Sequence, residues 1–277
     1  MARAGRPTAR RPLLDPHLRQ QSHGPHLQRR ESAVHVREAI NVIINSDELD
    51  ARSAYKLLIG AVTPRAIGWV STLSSSGVAN LAPISFFTVV SRIPPMVSLT
   101  LQPRSDGTLK DTFINIRDSG EFVTNLVTLP QAHAMHRSAI EFDGSQDEFD
   151  EVGLAKEACE VVRAPRVKDS PIAMECTLDR IIQVGDVNDQ VVWGKVVRFH
   201  IRDDVYAPNG RIDTGAIPAV GRLAAEYTLA DNTFVPPLAT DVLRERLGRR
   251  SHRLDERPDG WSPVDSADWS ASGAVKA

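Results

Sequence analysis

Apolar and polar positions alternate along several segments of the chain, a pattern typical of strands with one buried face. Met96 to Leu101 carries an aliphatic side chain at every second position. Ile172 to Val184 and Gln190 to Ile201 are long apolar-rich segments on either side of the short polar stretch Gly185 to Asp189. Two such segments around a glycine-containing turn predict a β-hairpin.

Shorter strands and a few helices complete the pattern. Ala66 to Ser71 and Glu121 to Leu126 predict buried strands. Apolar residues at i, i+4 and i+7 over residues 109–116 predict a helix that Gly120 can end. Further short helices are predicted over residues 130–140 and 147–152. Because antiparallel strands dominate and helices are inserted between them, the fold class is mainly β, a barrel or a sandwich.

The two ends of the chain differ from this central pattern. Residues 1–46 begin with an arginine-rich, proline-interrupted stretch that offers little to bury, which predicts an extension that is largely disordered. An inert extension and a basic targeting or interaction arm are both open readings. Residues 47–236 form the predicted domain. Residues 237–277 predict a tail with one short helix followed by disorder.

Composition narrows the class of protein. The chain has 277 residues with 33 Lys and Arg against 35 Asp and Glu, a net charge of −2. This balance argues against a general nucleic-acid binder. Apolar runs are too short to span a bilayer. Cys159 and Cys176 form neither a CxxC motif nor a disulfide scaffold. A cytoplasmic enzyme or binding protein remains.

The common catalytic motifs give only weak matches. There is no GxGxxG opening a helix and no phosphate-binding P-loop. Ser53 and Lys56 form an SxxK pair without its usual partner motifs, so it is read as incidental. His133 and His136 could share a metal ion on one helix face, but no third ligand follows at a suitable spacing. Chemistry based on a bound cofactor is therefore a better hypothesis than an acid–base constellation.

Residues 64–87 carry the first candidate site. A buried strand ends in the hydroxyls of Ser71 and Thr72, and a turn returns the chain through Asn80 to Pro83. Ser85 and Phe86 follow directly. Hydroxyls, an amide and aromatic walls suit a flat heterocycle with polar edges. An ordinary hairpin with an aromatic core cluster is the alternative.

Residues 103–116 carry the second candidate site. Arg104 and Lys110 supply cations, and Thr112 supplies a hydroxyl at the start of the predicted helix. Basic side chains beside the free amides of a helix N-terminus bind phosphate well. A solvated loop with a helix cap is the alternative. A ring site followed by a phosphate site suggests a mononucleotide such as FMN.

At these residues the chain resembles the flavin reductase-like proteins with the FMN-binding split barrel. The closest branch includes the reductase component of nitrilotriacetate monooxygenase and the flavoredoxins. The resemblance runs in order from about Asp47 to Tyr227. Its motifs are PRAIGWVST, GVANLAPISFF, KDT..NI, GEFVTNLV, DEF..VGL, PRVKDSPIAMEC, GKVVRFHI and VGRLAAEY.

The resemblance implies a six-stranded antiparallel FMN-binding split barrel that forms a homodimer, with FMN near the subunit interface. Asp111 would stand near the phosphate or cap the helix it begins, and Arg222 would close the site from the C-terminal side. The residues that the resemblance assigns to the cofactor are Ser71, Thr72, Asn80, Ala82, Pro83, Ser85, Phe86, Arg104, Lys110, Asp111, Thr112 and Arg222. It assigns no catalytic side chain and no metal ion.

One departure bears on the activity. Shorter reductases of the family carry Gly-Asp-His before the last long strand, where that His is associated with the nicotinamide, but here Val187 follows Asp186. The leading hypothesis is an NAD(P)H:FMN oxidoreductase, with hydride passing from nicotinamide C4 to flavin N5. Release of reduced flavin to a partner monooxygenase and retention of bound flavin are both open. FAD or free flavin is the alternative cofactor. A flavoredoxin-like electron carrier and a dimeric scaffold with a degraded flavin site are the alternative functions.

Overall fold

The structure, a computed structural model, describes residues 42–230. Most of the predicted N-terminal extension and the whole predicted tail at 237–277 lie outside the described residues. Residues 42–46, the end of that extension, lead into a short 3-10 turn at Ser46–Glu48. Within residues 42–230, no helix is long and apolar enough to cross a membrane.

Strands form most of the regular structure, as the alternating pattern predicts. Over residues 42–230, four α-helices accompany them: α1 (Ala51–Ala61), α2 (Asp111–Ser119), α3 (Ala132–Arg137) and α4 (Glu148–Val152). The strands are β1 (Gly68–Leu73), β2 (Ala79–Ile84), β3 (Phe87–Arg92), β4 (Pro95–Leu101), β5 (Glu121–Asn125), β6 (Lys156–Glu157), β7 (Arg166–Val167), β8 (Ile172–Val184), β9 (Asp189–Ile201), β10 (Val220–Arg222) and β11 (Tyr227–Leu229).

One antiparallel sheet organises the chain. Its order is β2-β1-β5-β8-β9-β4-β3, so it has seven strands where six were expected. The predicted hairpin is present: β8 and β9 are 13 residues each, and their turn contains Gly185 and Asn188, both with positive φ. Two shorter pairs, β6–β7 and β10–β11, lie outside this sheet. The mainly β fold class is confirmed.

The sheet curls around a single apolar interior. Val70 of β1 and Leu99 of β4 belong to the same buried cluster although four sheet positions separate their strands. A Cβ on Gly68 would come within 2.9 Å of Phe87, which shows how closely β1 approaches β3 across the barrel. The backbone N–H of Thr100 donates to the carbonyl of Phe86 at 2.9 Å, which extends the β3–β4 ladder up to the short connection from β2. This curvature makes the sheet a barrel.

A second apolar layer packs on the outside of β1 and β2. Trp69 and Leu81 are fully buried against Met135 of α3 and Phe149 of α4. The indole N–H of Trp69 donates to the hydroxyl of Ser138 at 2.9 Å. Burial of Phe149 holds the start of α4 against β2, which fixes the position of the residue before it, Glu148.

The short strands β6, β7, β10 and β11 were not predicted, and three further local elements differ from the sequence prediction. Helix α1 was not predicted; the Asp50 carboxylate caps it by accepting from the Ser53 amide at 2.7 Å, and none of its side chains is fully buried. The helix predicted over residues 130–140 is a 3-10 turn at Leu129–Gln131 followed by the six residues of α3. Strand β3 is the third, an edge strand with exposed valines whose pattern gives no buried face.

Gly194 of β9 allows a fully buried aromatic ring to cross the barrel interior. A Cβ at this position would lie 2.2 Å from Cζ of Phe122, a residue with no exposed surface. Neither the ring nor the strand has space to move aside, because the interior is close-packed.

We therefore expect Gly194→Ala to lower the free energy of unfolding by about 1–3 kcal/mol or more, because it overpacks the core. Gly60→Ala is the matched control: Gly60 lies in α1 with nothing within 4 Å of its would-be Cβ. The control should be neutral or stabilising, since alanine favours helix over glycine. Chemical denaturation measures both, and equal stabilities of the two variants would contradict this account of the core.

Candidate functional site

A polar pocket opens between β2, the start of α2 and the segment that joins α3 to α4. The loop between β4 and α2 contributes its cationic wall. The lining residues are Asn80, Ala82, Pro83, Arg104, Lys110, Asp111, Thr112, Ser138, Ala139, Ile140, Glu141, Phe142 and Glu148. The two segments that the sequence analysis singled out separately, residues 64–87 and 103–116, therefore meet at one site.

Lys110 is the unpaired cation of this pocket. Its side chain is partly buried, and within the described residues its ammonium makes neither a hydrogen bond nor an ion pair. Burial lowers the pKa of Lys110, Glu141 opposes this shift, and Arg104 adds to it. A partly desolvated, unpaired ammonium favours an anionic ligand.

The N-terminus of α2 adds amide donors beside Lys110. Lys110 is the N-cap residue, and no side chain caps the helix, so the first amides keep their hydrogen-bonding capacity. Asp111 was expected either to lie near a phosphate or to cap this helix; it is the first helical residue and does not cap it. The buried hydroxyl of Thr112 stands one residue further on. A positive helix end and an ammonium together form an anion site.

Arg104 is held by two contacts on opposite sides of the pocket mouth. One guanidinium nitrogen pairs with the carboxylate of Asp111, and another donates to the carbonyl of Phe142 at 3.2 Å. Arg104 therefore brings the pocket a cation that is already partly neutralised. Lys110 carries the positive charge that no ion pair among the described residues neutralises.

The segment 138–142 covers one side of the pocket and is tied to the cationic loop. The carboxylate of Glu141 accepts from the amide of Ser105 at 3.1 Å and from its hydroxyl at 2.7 Å. These hydrogen bonds lower the pKa of Glu141, against a small opposing effect of burial. The segment is thus anchored at Glu141 and at the Phe142 carbonyl.

A buried polar network lies beneath the pocket floor with Asn80 at its centre. The amide oxygen of Asn80 accepts from the hydroxyls of Thr72 at 3.2 Å and of Thr112 at 2.8 Å. The Thr72 hydroxyl in turn accepts from Asn115 at 3.0 Å. Thr72 therefore acts one step behind the pocket, by fixing Asn80, rather than lining it.

Glu148 completes this network from α4. One carboxylate oxygen accepts from the Asn80 amide nitrogen at 2.6 Å, and the other accepts from the backbone N–H of Leu81 at 3.2 Å. The residue is only 6% exposed and forms no ion pair in the described part of the chain. Burial raises the pKa of Glu148 to about 7, the hydrogen bonds oppose the shift, and Asp111 adds to it.

Several predicted residues lie away from the pocket. The Ser71 hydroxyl is fully buried on the opposite face of β1, where it donates to the carbonyl of Pro165 at 2.5 Å. Ser85 and Phe86 are half-buried and continue the chain beyond Pro83; the Phe86 ring lies 6.2 Å from that of Tyr55. Within one chain, none of the three lines the pocket.

Arg222 also lies outside the pocket. Its guanidinium stacks on the ring of Tyr227 at 4.7 Å, and its backbone pairs with that of Arg65. The Tyr227 hydroxyl is 2.9 Å from Nδ1 of His136, so one of the two histidines considered for a metal has a tyrosine partner instead. These contacts join β10 and β11 to α3.

Two parts of the pocket were not anticipated from the sequence. Residues 138–140 were assigned to the end of a helix and residues 141–142 to no element, and Glu148 was read only as part of a short helix and of the DEF motif. A signal existed at Glu148, because an acidic residue directly before a buried Phe149 sits close to the core. Nothing in the sequence indicated that its carboxylate would point to Asn80.

A second cluster of titratable side chains has a structural explanation. The Glu175 carboxylate accepts from three successive amides, those of Glu160, Val161 and Val162, and lies 2.5 Å from Nε2 of His200. Burial would raise the pKa of Glu175, but these hydrogen bonds outweigh it and lower the pKa to about 2. Each oxygen has two partners, so the carboxylate has no free lone pair for a metal ion.

Cys159 lies within 4.8 Å of the ligand atoms of this cluster. Burial and the neighbouring Glu175 raise the pKa of Cys159 to about 12. A thiol with such a pKa remains protonated at neutral pH and is a poor nucleophile and a poor metal ligand. Cys159 and the buried Cys176 are both free thiols.

Comparison with known proteins identifies the family. The family model described as "Flavin reductase like domain" matches residues 60–216, more than half of the chain. The chain belongs to the flavin reductase-like domain family. An uncharacterized protein of Aquifex aeolicus (strain VF5) is 37% identical over 180 residues, covering 65% of this chain and 91% of that protein.

Two solved structures are similar to this chain in both sequence and fold. Nitrilotriacetate monooxygenase component B from Bacillus cereus is 32% identical with a TM-score of 0.68, covering 71% of this chain and 99% of that chain. The Pseudomonas fluorescens 2-nitrobenzoate 2-nitroreductase NbaA is 27% identical with a TM-score of 0.65, covering 72% and 97%. The predicted split-barrel fold is confirmed.

Proposed function

We propose that this protein binds FMN with its phosphate at the start of α2. The observation that carries the proposal is the partly buried Lys110 ammonium, which has no partner in the described chain and stands at an uncapped helix N-terminus. A phosphate would satisfy the ammonium and the first amides of α2 together. The Thr112 hydroxyl, which donates to Asn80, would hold the floor of the site beside the phosphate. Arg104 would share its charge between the phosphate and Asp111.

The remainder of the flavin would follow β2 away from the phosphate. Asn80, Ala82 and Pro83 line the pocket beside the anion site, and Ser85 and Phe86 continue in the same direction along the chain. Asn80 is held rigidly by three side chains, so it is suited to orient a polar ring edge or a ribityl hydroxyl.

The proposed reaction is NAD(P)H-dependent reduction of flavin. The isoalloxazine ring supplies the hydride-accepting chemistry when FMN is bound. The chain's residues would bind and orient the ring and exclude water from its edge. No protein acid or base is required for this step. The buried side chains of Thr112 and Glu148 are both hydrogen-bonded to Asn80. Because a similar protein is named as a monooxygenase component, supply of reduced flavin to a monooxygenase is part of the proposal.

An electron carrier is the second candidate function. In the shorter reductases of this family a His follows Gly-Asp before the last long strand, but here the β8–β9 turn carries Val187, which is 53% exposed. An aliphatic side chain offers no hydrogen bond to a nicotinamide. A protein that binds FMN without accepting hydride from NAD(P)H would exchange electrons with protein partners instead.

We also propose that the chain forms a homodimer, as the family resemblance implies. Edge strand β3 and its following turn expose Val89 (71%) and Ile93 (86%), and apolar residues on a sheet edge invite pairing with a second copy. Sedimentation equilibrium should give twice the chain mass, and Val89→Lys with Ile93→Asp should shift the equilibrium to monomer. A monomeric unsubstituted protein at micromolar concentration would contradict the dimer.

Removal of the phosphate-site cation should weaken FMN binding selectively. Charge-assisted hydrogen bonds are worth about 1.5–3 kcal/mol, so Lys110→Ala should raise the Kd for FMN about tenfold or more. Arg104→Ala should act in the same direction. Riboflavin, which lacks the phosphate, should bind equally well to Lys110→Ala and to the unsubstituted protein. Fluorescence titration measures both ligands.

The exposed Lys168 provides the control, because Lys168→Ala removes a positive charge of the same kind from a residue that does not line the pocket. It should leave the FMN affinity unchanged. Equal effects of Lys110→Ala on FMN and riboflavin would remove Lys110 from the phosphate site.

An anaerobic reduction experiment tests the reaction. The protein loaded with FMN should lose its blue-light flavin absorption when NADH or NADPH is added, because hydride transfer reduces the ring. Bleaching by dithionite but by neither nicotinamide nucleotide would exclude the reductase and favour the carrier. Failure to retain any flavin after loading and desalting, together with no NAD(P)H oxidation when free FMN is supplied, would contradict both and favour the scaffold alternative.

A further inference from the structure

The proposed phosphate site contains more negative than positive charge when every carboxylate is ionised. Five charged side chains line the pocket: Arg104, Lys110, Asp111, Glu141 and Glu148. Two cations and three carboxylates give the wall a net charge of −1. For a phosphate dianion entering such a pocket, the excess carboxylate charge opposes the attraction of Lys110 and of the α2 N-terminus. One of the carboxylates has to lose its charge for the wall to become neutral.

Glu148 is the carboxylate best placed to do this. Asp111 pairs with Arg104, and Glu141 is exposed and accepts two hydrogen bonds from Ser105. The charge of Asp111 thus has a cation partner, and the hydrogen bonds from Ser105 lower the pKa of Glu141. Glu148 is buried, has no cation partner within the described residues, and accepts only neutral N–H groups, from Asn80 and Leu81. Burial without a cation penalises its charged form.

The other titratable groups around Glu148 do not relieve this penalty. On its own helix and cap, Asp147 and Asp150 pair with Lys156, and Glu151 accepts from Gln146 at 3.1 Å. The β2 residues that contact Glu148 carry no charge. From α2, Asp111 faces it with the same sign of charge, and this neighbour adds to burial in raising the pKa of Glu148 to about 7.

We propose that Glu148 determines the selectivity of this pocket for a phosphorylated flavin through its own proton. With Glu148 neutral, the pocket admits the phosphate beside Lys110; with Glu148 ionised, it repels the phosphate and keeps only its affinity for the uncharged parts of the ligand. Binding of FMN in neutral and mildly alkaline solution therefore takes up a proton on the Glu148 carboxyl. This inference rests on the proposed phosphate site and adds to it a residue that does not touch the flavin ring.

The sign of the pH dependence follows from linkage. The ligand prefers the protonated form, so affinity is full below the pKa of free Glu148, about 7, and falls as the pH rises above it. The decrease approaches tenfold per pH unit until the pKa of the complex is reached. Riboflavin carries no phosphate and should show little change over the same range. The FMN-to-riboflavin affinity ratio should thus decrease by about tenfold or more between about pH 7 and pH 9.

Three proteins test the proposal by titration with FMN and riboflavin across this range: the unsubstituted chain, Glu148→Gln and Glu151→Gln. Glu148→Gln should bind FMN with an affinity that no longer falls as the pH rises. Glu151→Gln is the matched control, the same substitution on the exposed side of α4, and should keep the full pH dependence. A Glu148→Gln protein that retains the original pH profile would overturn the proposal and assign the titration to another group, such as Lys110.

Calorimetry of the unsubstituted protein provides a test without any substitution. Heats of FMN binding in two buffers of different ionisation enthalpy should reveal uptake of a proton at about pH 8, approaching one per site. Riboflavin should take up none. FMN binding without proton uptake would contradict only the proposed role of Glu148. A protein that binds no FMN at any pH would contradict the proposed function itself.

Discussion

The side chain of Asn80 is the point at which the elements around the pocket are joined. Its amide oxygen accepts from hydroxyls on β1 and α2, and its amide nitrogen donates to a carboxylate on α4. The amide oxygen thus links β2 to β1 and α2, and the amide nitrogen links β2 to α4. Buried polar groups are costly unless all of them are satisfied, so the network holds its members in one arrangement. The pocket keeps its shape because this one amide cannot rotate without leaving partners on three elements unsatisfied.

Around this fixed centre, the charges of the pocket are divided between paired and unpaired groups. Arg104 is used largely for architecture, since it ties Asp111 to the carbonyl of Phe142. Lys110 and Glu148 have no ion-pair partner among the described residues. The charge of Lys110 has to be balanced by a ligand, and the charge of Glu148 by a ligand or by uptake of a proton. A site built in this way has its shape set by its paired charges and its ligand preference set by the unpaired ones.

The structure was predicted most accurately from the sequence where buried residues recur at a regular spacing. The β8–β9 hairpin was located almost to the residue, because long strands with one buried face alternate clearly. Helix α1 and edge strand β3 were missed because their apolar residues are exposed and create no such contrast. In these elements, capping by Asp50 and pairing with a neighbouring strand decide the structure instead of burial.

The candidate site was likewise predicted only in part. The cations and hydroxyls of residues 104–112 were identified because their chemistry is visible in the sequence. Ser71 and Thr72 looked equivalent, yet neighbouring residues of a strand point to opposite faces, so only Thr72 reaches the Asn80 network. Both faces of β1 are buried, so the sequence pattern does not distinguish the face that is next to the pocket. Tertiary packing decides which face that is. Glu148 depended on the docking of α4, a contact between residues 68 positions apart.

The order of the sheet has a consequence for how the chain is made. Strand β5 pairs with β8, and β4 pairs with β9, so in the sheet of the described residues the two halves are linked by strand pairing only through the hairpin at residues 172–201. Until the ribosome has released that hairpin, two separate sheet fragments, β2-β1-β5 and β4-β3, expose the apolar faces that will later enclose Phe122 and Leu99. All the residues that line the pocket lie between positions 80 and 148 and are therefore synthesised before the barrel can close. Nascent chains thus carry the ligand-binding residues for some time without the fold that orders them, and such non-local pairing makes closure a late and comparatively slow event.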